Sequence, residues 1–187
     1  MKTRFWLCFF FATLVSINLL AQLEKGTSNI QAGGGFAGII LESTGAYANG
    51  YLVNGSYEKW LAPSVGIGGS VHYVHVRDQG DHGTGTATSF PVYMNGNYYF
   101  GKEKFRVFVK ASVGFQFSWR KLEDTSGNSG SDHDAGFTAG VGTGVVYTLT
   151  PKVLVNLNYS LYWMKNAYYS NGLANTVSIN FGYMLGH

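Results

Sequence analysis

Apolar and polar residues alternate along much of this chain with a period of two. Residues 105–119 show it best. Phe105, Val107, Val109, Ala111, Val113, Phe115, Phe117 and Trp119 share one side, and Arg106, Lys110, Ser112, Gly114, Gln116 and Ser118 the other, with Phe108 the one apolar intruder. Residues 153–163 repeat it, with Val153, Val155, Leu157, Tyr159, Leu161 and Trp163 against Asn156, Asn158 and Ser160. Residues 173–185 do the same, with Val177, Ile179, Phe181, Tyr183 and Leu185 against Thr176, Ser178, Asn180 and Gly182. This alternation is the signature of a strand with two unlike faces. Eight such segments are expected, at about 30–40, 49–60, 64–76, 88–100, 105–119, 135–149, 152–165 and 173–185. Each is as long as the roughly 9–11 residues with which a tilted strand crosses a bilayer.

The connections alternate short and long. Leu61-Ala62-Pro63, Gly101-Lys102-Glu103-Lys104 and Thr150-Pro151 read as tight turns. The stretches 41–48, 77–87, 120–134 and 166–172 are longer and polar, and are expected to be loops. Short turns at one end and long loops at the other are the layout of an outer-membrane barrel. With the short turns on the periplasmic side, the apolar-face aromatics fall at two heights. Tyr51, Tyr73, Phe90, Trp119, Phe137 and Trp163 lie near the loop end, and Tyr57, Phe100, Phe105, Tyr147 and Tyr183 near the turn end. Two aromatic girdles around an aliphatic band suit the two membrane interfaces. A soluble barrel would reverse the faces. Pro91 interrupts the segment 88–100, where it cannot donate to a ladder, and a bulge or pairing that starts only at Val92 is expected.

Composition narrows the class. Charged residues make up 12% of 187, about half the roughly 25% of soluble domains, which argues against an ordinary cytosolic enzyme. After Ala21, 11 basic residues face 10 acidic ones, which gives no basic patch for nucleic acid. Met1-Lys-Thr-Arg4 precedes an apolar run from Phe5 to Leu20 and a small Ala21, the layout of a secretory signal peptide. The expected organisation is therefore a cleaved signal over 1–21 and one barrel domain over 22–187. The one cysteine, Cys8, lies in the signal, so the mature chain has no disulfide or thiol nucleophile.

The candidate chemistry is sparse. Gly140-Val-Gly-Thr-Gly144 and Gly66-Ile-Gly-Gly69 neither open a helix nor carry the Lys-Ser/Thr of a phosphate loop. Such glycines instead leave room for large inward side chains such as Phe108 and Tyr162. His72 and His75 are expected on one side of a strand, and His82, His133, Asp78, Asp81, Asp132 and Asp134 on two long loops. No spacing among them demands a metal, so no metal site and no cofactor are assigned. His75 and Ser89 sit at a height where a nucleophile pair could act on outer-leaflet lipid, but no motif supports a catalytic set. Inside the barrel, Glu58 is expected to form an ion pair with Arg106 or Lys110, because a buried charge is costly unless paired.

Strand count, girdles and loop asymmetry over residues 28–185 resemble the eight-stranded outer-membrane barrel family that includes the membrane domain of outer membrane protein A and outer membrane protein X. The resemblance implies an all-β, eight-stranded antiparallel up-and-down transmembrane β-barrel in the outer membrane of a didermal bacterium. It also implies surrounding outer-membrane lipid and insertion by the barrel-assembly machinery. Family members usually end in an aromatic residue, whereas this chain has Gly186-His187 after Leu185. Eight strands enclose a space that side chains fill, so a general porin is not expected. The expected function is a non-enzymatic envelope role, with an extracellular partner met through the long loops, above all 77–87 and 120–134. An outer-leaflet lipid A-modifying acyl hydrolase or acyltransferase is the alternative, followed by a soluble ligand-binding barrel.

Overall fold

The computed structural model describes residues 26–41, 47–80, 83–102, 104–124, 129–165 and 172–185. The segment 1–21 read as a signal lies outside these residues, as do His82 and Asp81. All eight expected segments are strands: β1 (Ser28–Leu41), β2 (Tyr47–Ala62), β3 (Val65–Gly80), β4 (Gly83–Lys102), β5 (Phe105–Asp124), β6 (Ser129–Thr150), β7 (Val153–Lys165) and β8 (Gly172–Leu185). Each pairs antiparallel with its chain neighbour, and β8 closes on β1, as in Ser28↔Leu185, so the closed part of the wall has no lateral edge.

Period two becomes inside and outside. Along β7, even-numbered residues are buried in the barrel while odd ones face out. The outer face is largely apolar, with Phe36 at 78% exposure and Val53, Val113, Phe181 and Ile179 likewise exposed. A soluble barrel with a polar exterior is thereby excluded. Tight turns close the strands at one end, and bulges at Trp60/Ala62 and Thr148/Thr150 adjust their entry. In the last of these, the Thr150 Oγ1 accepts from Lys152 N and Val153 N at 3.3 and 3.1 Å, and Gly101 takes φ 101° in the turn before β5.

Two expectations are corrected. Most of 77–87 and 120–134 is strand rather than loop: the β3–β4 ladder runs to Gly80↔Gly83, and the β5–β6 ladder to Glu123↔Ser129. Both ends of these hairpins are polar on both faces, so alternation fades although backbone pairing persists. Pro91 causes neither a bulge nor a late start. It pairs with Gln116 of β5, and the β3–β4 ladder omits Phe90 and Pro91 between Val71↔Val92 and Val74↔Ser89 without a shift of register. The missing N–H falls in that gap.

Candidate functional site: the filled lumen and the outer extension

The interior is most polar in its middle. Toward the loop end it is filled by Ile39, Leu52, Val74, Val76, Tyr93, Tyr162 and Met164. The rings of Tyr93 and Tyr162 stack at 4.7 Å and 21°. Toward the turn end, Trp60, Tyr99, Phe108, Val146 and Leu154 form a second apolar cluster. Between them lies a chamber of about 50 Å³ lined by Asn54, Glu58, His72, Asn95, Lys110 and Asn180, among others. Sequence reading anticipated Phe108 and Tyr162 as inward side chains of a filled lumen, but not the clusters they form with Tyr93, Tyr99 and Trp60. Their signal was present where alternation fails: in Val71–Val76 and Tyr98–Phe100, both faces are apolar or aromatic.

Glycines shape this interior. Tyr162 lies over Gly140, Phe108 over Gly144, and the end of Lys110 near Gly142, each where a Cβ would otherwise stand. The Glu58 carboxylate lies over Gly66 of β3 in the same way. With no side chain there, Glu58 reaches across β3 to β4. Asn97 Nδ2 donates to it at 2.8 Å, and the Tyr99 hydroxyl lies 2.9 and 2.7 Å from its two oxygens. Asn29 Nδ2 donates from the other side at 3.3 Å. The chain of donors continues from Gln31 to Asn29 at 2.8 Å and from Asn156 to Gln31 at 3.1 Å.

The expected ion pair of Glu58 is therefore replaced by neutral donors. Lys110 Nζ instead donates to the Tyr162 hydroxyl at 3.3 Å and stands 5.8 Å from the centre of that ring. Arg106 is 7% exposed, and its Nε finds no partner. The physical reason is reach: the glycine gap in β3 gives Glu58 nearer donors on β4 and β1 than the cations of β5.

The histidine expectations also change. His72 and His75 are three residues apart, an odd spacing, and so lie on opposite faces. His72 is buried in the lumen against Tyr93 and Tyr162, whereas His75 faces outward beside Tyr51. Ser89 is buried inside, so His75 and Ser89 are separated by the wall. The hydroxyl that His75 meets is that of Thr88, with Nδ1 3.0 Å from Oγ1. Among the described residues, no three His, Cys, Asp or Glu side chains come together.

On the outside, Tyr51, Tyr73, Phe90, Trp119, Phe137 and Trp163 occupy the loop-end height of the wall. Tyr51–Tyr73, Tyr73–Phe90 and Phe90–Trp119 form a continuous chain of rings with centroids 6.2, 5.1 and 5.5 Å apart. Tyr57, Phe100, Phe105, Tyr147 and Tyr183 stand on the same face toward the turns. Beyond the loop-end ring, β3, β4, β5 and β6 continue as a four-stranded extension, while β7 ends its pairing at Phe137↔Lys165.

Comparison with known proteins bears on this arrangement. The family described as "Outer membrane protein beta-barrel domain" matches residues 9–184. Among curated proteins nothing matches. Among solved structures, Neisserial surface protein A is similar with a TM-score of 0.62 at 16% identity, over 85% of this chain and 99% of that one. Ail, the attachment invasion locus protein of Yersinia pestis, is similar with a TM-score of 0.59 at 14% identity, over 87% of this chain and 100% of that one. The outer membrane protein OprG of Pseudomonas aeruginosa gives 0.50 at 15% identity, over 90% and 100%. At these identities the likeness is one of fold.

Proposed function

Because this chain belongs to the outer membrane protein beta-barrel domain family, we propose that it is a non-enzymatic envelope protein whose external contacts are made by the extension of β3 to β6. One observation carries the reading: the paired strands continue past the ring of Trp119 and Phe137 to Gly80↔Gly83 and Glu123↔Ser129. The apolar wall is committed to outer-membrane lipid, into which the barrel-assembly machinery would insert it. The lumen is filled, and the two-residue turns expose little. What remains for an extracellular partner is the extension, and contact surfaces carried on a rigid scaffold are commonly of this kind. The test replaces 78–86 and 123–133 with short Gly-Ser turns. The barrel is expected to assemble and keep the envelope intact while adhesion to surfaces and cells is lost. Wild-type adhesion by the shortened chain would overturn the reading.

The His75–Thr88 contact favours a second reading, an outer-leaflet lipid-modifying enzyme in which the Thr88 hydroxyl attacks an acyl-ester carbonyl of lipid A. In that reading His75 takes its proton and passes it to the departing sugar hydroxyl as the ester C–O bond breaks, and water then hydrolyses the acyl-Thr88 ester. The neighbour found for His75 is the Tyr51 ring, 5.4 Å away, rather than a carboxylate that would orient it as a base. That favours the first reading. Mass spectrometry of lipid A from cells carrying the native chain and Thr88→Val decides between them, and identical species support the non-enzymatic role.

A further inference from the structure

Charge is not spread evenly around the turn end of the wall. The β2–β3 turn, Ala62-Pro63-Ser64, carries none, whereas Gly101-Lys102-Glu103-Lys104 and Thr150-Pro151-Lys152 together hold three lysines and one glutamate. Lys104 and Lys152 are exposed, and each is clipped by its backbone to the neighbouring strand. The Lys104 carbonyl accepts from Thr148 N at 2.7 Å, and the Lys152 carbonyl from Met184 N at 2.8 Å. Among the described residues, neither ammonium has an ion-pair or hydrogen-bond partner. The two lysines stand at the ends of β5 and β7, two strand spacings or about 10 Å apart. Around them the outer face carries Phe105, Tyr147, Leu149 and Tyr183, all exposed. These form one continuous sector, in which Phe105 pairs with Tyr147, Tyr147 with Val155, and Val153 with Tyr183. Lys59, another exposed lysine near this end, stands on β2 at the far side of the barrel.

We propose that Lys104 and Lys152 hold the phosphate of one anionic phospholipid in the leaflet at the turn end, its acyl chains lying over Val107, Leu157 and Ile179. Depth is the first argument. Amphipathic rings settle at the headgroup level of a bilayer, so Phe105, Tyr147 and Tyr183 fix where the interface crosses this sector. Lysines just turnward of such rings lay their stems along apolar surface and set their ammonium groups among the headgroups. Side chains of this length, rooted two strands apart, reach a single phosphate between them. Charge is the second argument. The two turns carry a net charge of two positives, which selects an anionic headgroup over a zwitterionic one. Each cation near an anionic membrane surface contributes about a fivefold preference. A soluble acidic partner is disfavoured, because the exposed Leu149 and the rings beside the lysines belong to a face committed to lipid.

The test uses the full chain in neutral-detergent micelles with phosphatidylglycerol and phosphatidylcholine in equal amounts, and native mass spectrometry to identify the lipids retained. One phosphatidylglycerol per barrel is expected, in preference to phosphatidylcholine. Lys104→Gln with Lys152→Gln is expected to lower that preference about 25-fold, at about fivefold for each lysine. Lys104→Arg with Lys152→Arg is expected to keep it. So are Lys59→Gln, at the same depth on the far side, and Lys165→Gln, at the loop end. Heat-dependent electrophoretic mobility checks that every variant is assembled. Equal retention of the two lipids by the native chain, or a preference undiminished in the Gln pair, overturns the proposal. A preference lost in Lys59→Gln or Lys165→Gln but kept in the Gln pair overturns it too, by moving the lipid to another sector or the other interface. Retention of added inorganic phosphate in place of the lipid would make the occupant a free anion. Binding to purified cell wall that the Gln pair loses, with no lipid preference, would make it a wall polymer. Either result sinks the lipid site.

Discussion

Glu58 is 3% exposed inside a wall that crosses a membrane, and it is held by donors rather than by a cation. Tyr99, Asn97 and Asn29 meet its oxygens, so the carboxylate is satisfied by dipoles that are themselves fixed in the sheet. A hydrogen bond to a charged group contributes about 1.5–3 kcal/mol, and removing its donor leaves a buried acceptor short. Tyr99→Phe is therefore expected to destabilise the barrel by about that much. Glu58→Gln is expected to cost about 1–3 kcal/mol, because its amide would point N–H groups at donors. Arg106→Met is expected to cost under about 1 kcal/mol, since a buried cation replaced by an apolar side chain of similar volume is often neutral. Urea unfolding in lipid vesicles, followed by tryptophan fluorescence, measures all three. An Arg106→Met loss equal to that of Tyr99→Phe would restore the ion pair that the sequence suggests.

At the scale of the strand, side-chain alternation and glycine placement do different work. Alternation sets which face meets lipid, and the inward glycines set which large side chains fit. A Cβ on Gly140 would meet the ring of Tyr162 and the Leu161 carbonyl, whereas one on Gly96, on the outer face, meets nothing within 4 Å. Gly140→Ala is expected to destabilise by about 1–3 kcal/mol through overpacking. Gly96→Ala is expected to be neutral or to stabilise by up to about 1 kcal/mol, by restricting the unfolded chain. Equal unfolding midpoints for the two variants would mean that Tyr162 moves aside freely. This division also explains what the sequence could show. Eight strands and their lipid face were legible because Val113, Phe115 and Phe117 alternate with Ser112, Gly114 and Gln116. The length of β3 to β6 was not, because Gly83–Ala87 and Ser129–Asp134 are held by backbone pairing with little apolar pattern. The partners of Glu58 were hidden for a third reason. Which donor it reaches depends on Gly66 being empty, a property of three strands together.

For the whole molecule, the two apolar clusters act as closures in series. Tyr162 and Tyr93 fill the loop-end half, and Phe108, Tyr99 and Trp60 the turn-end half, with the polar chamber of about 50 Å³ between them. A water needs roughly 10–15 Å³ of such volume, so the chamber holds a few waters and no continuous column. A hydrated ion would have to pass both closures, and opening one leaves the other intact. The native chain is therefore expected to be silent in a planar bilayer. Tyr162→Ala alone and Phe108→Ala alone are expected to be silent as well, although each leaves a cavity. The double variant joins the two cavities to the chamber and is expected to show discrete current steps. Its Lys110 would lose the Tyr162 hydroxyl and stand free in the opened path, so those steps are expected to favour anions. Assembly is checked first, by the shift in electrophoretic mobility between unheated and heated samples. Conductance in the native chain, or in either single variant at the level of the double, would show that the closures do not lie in series.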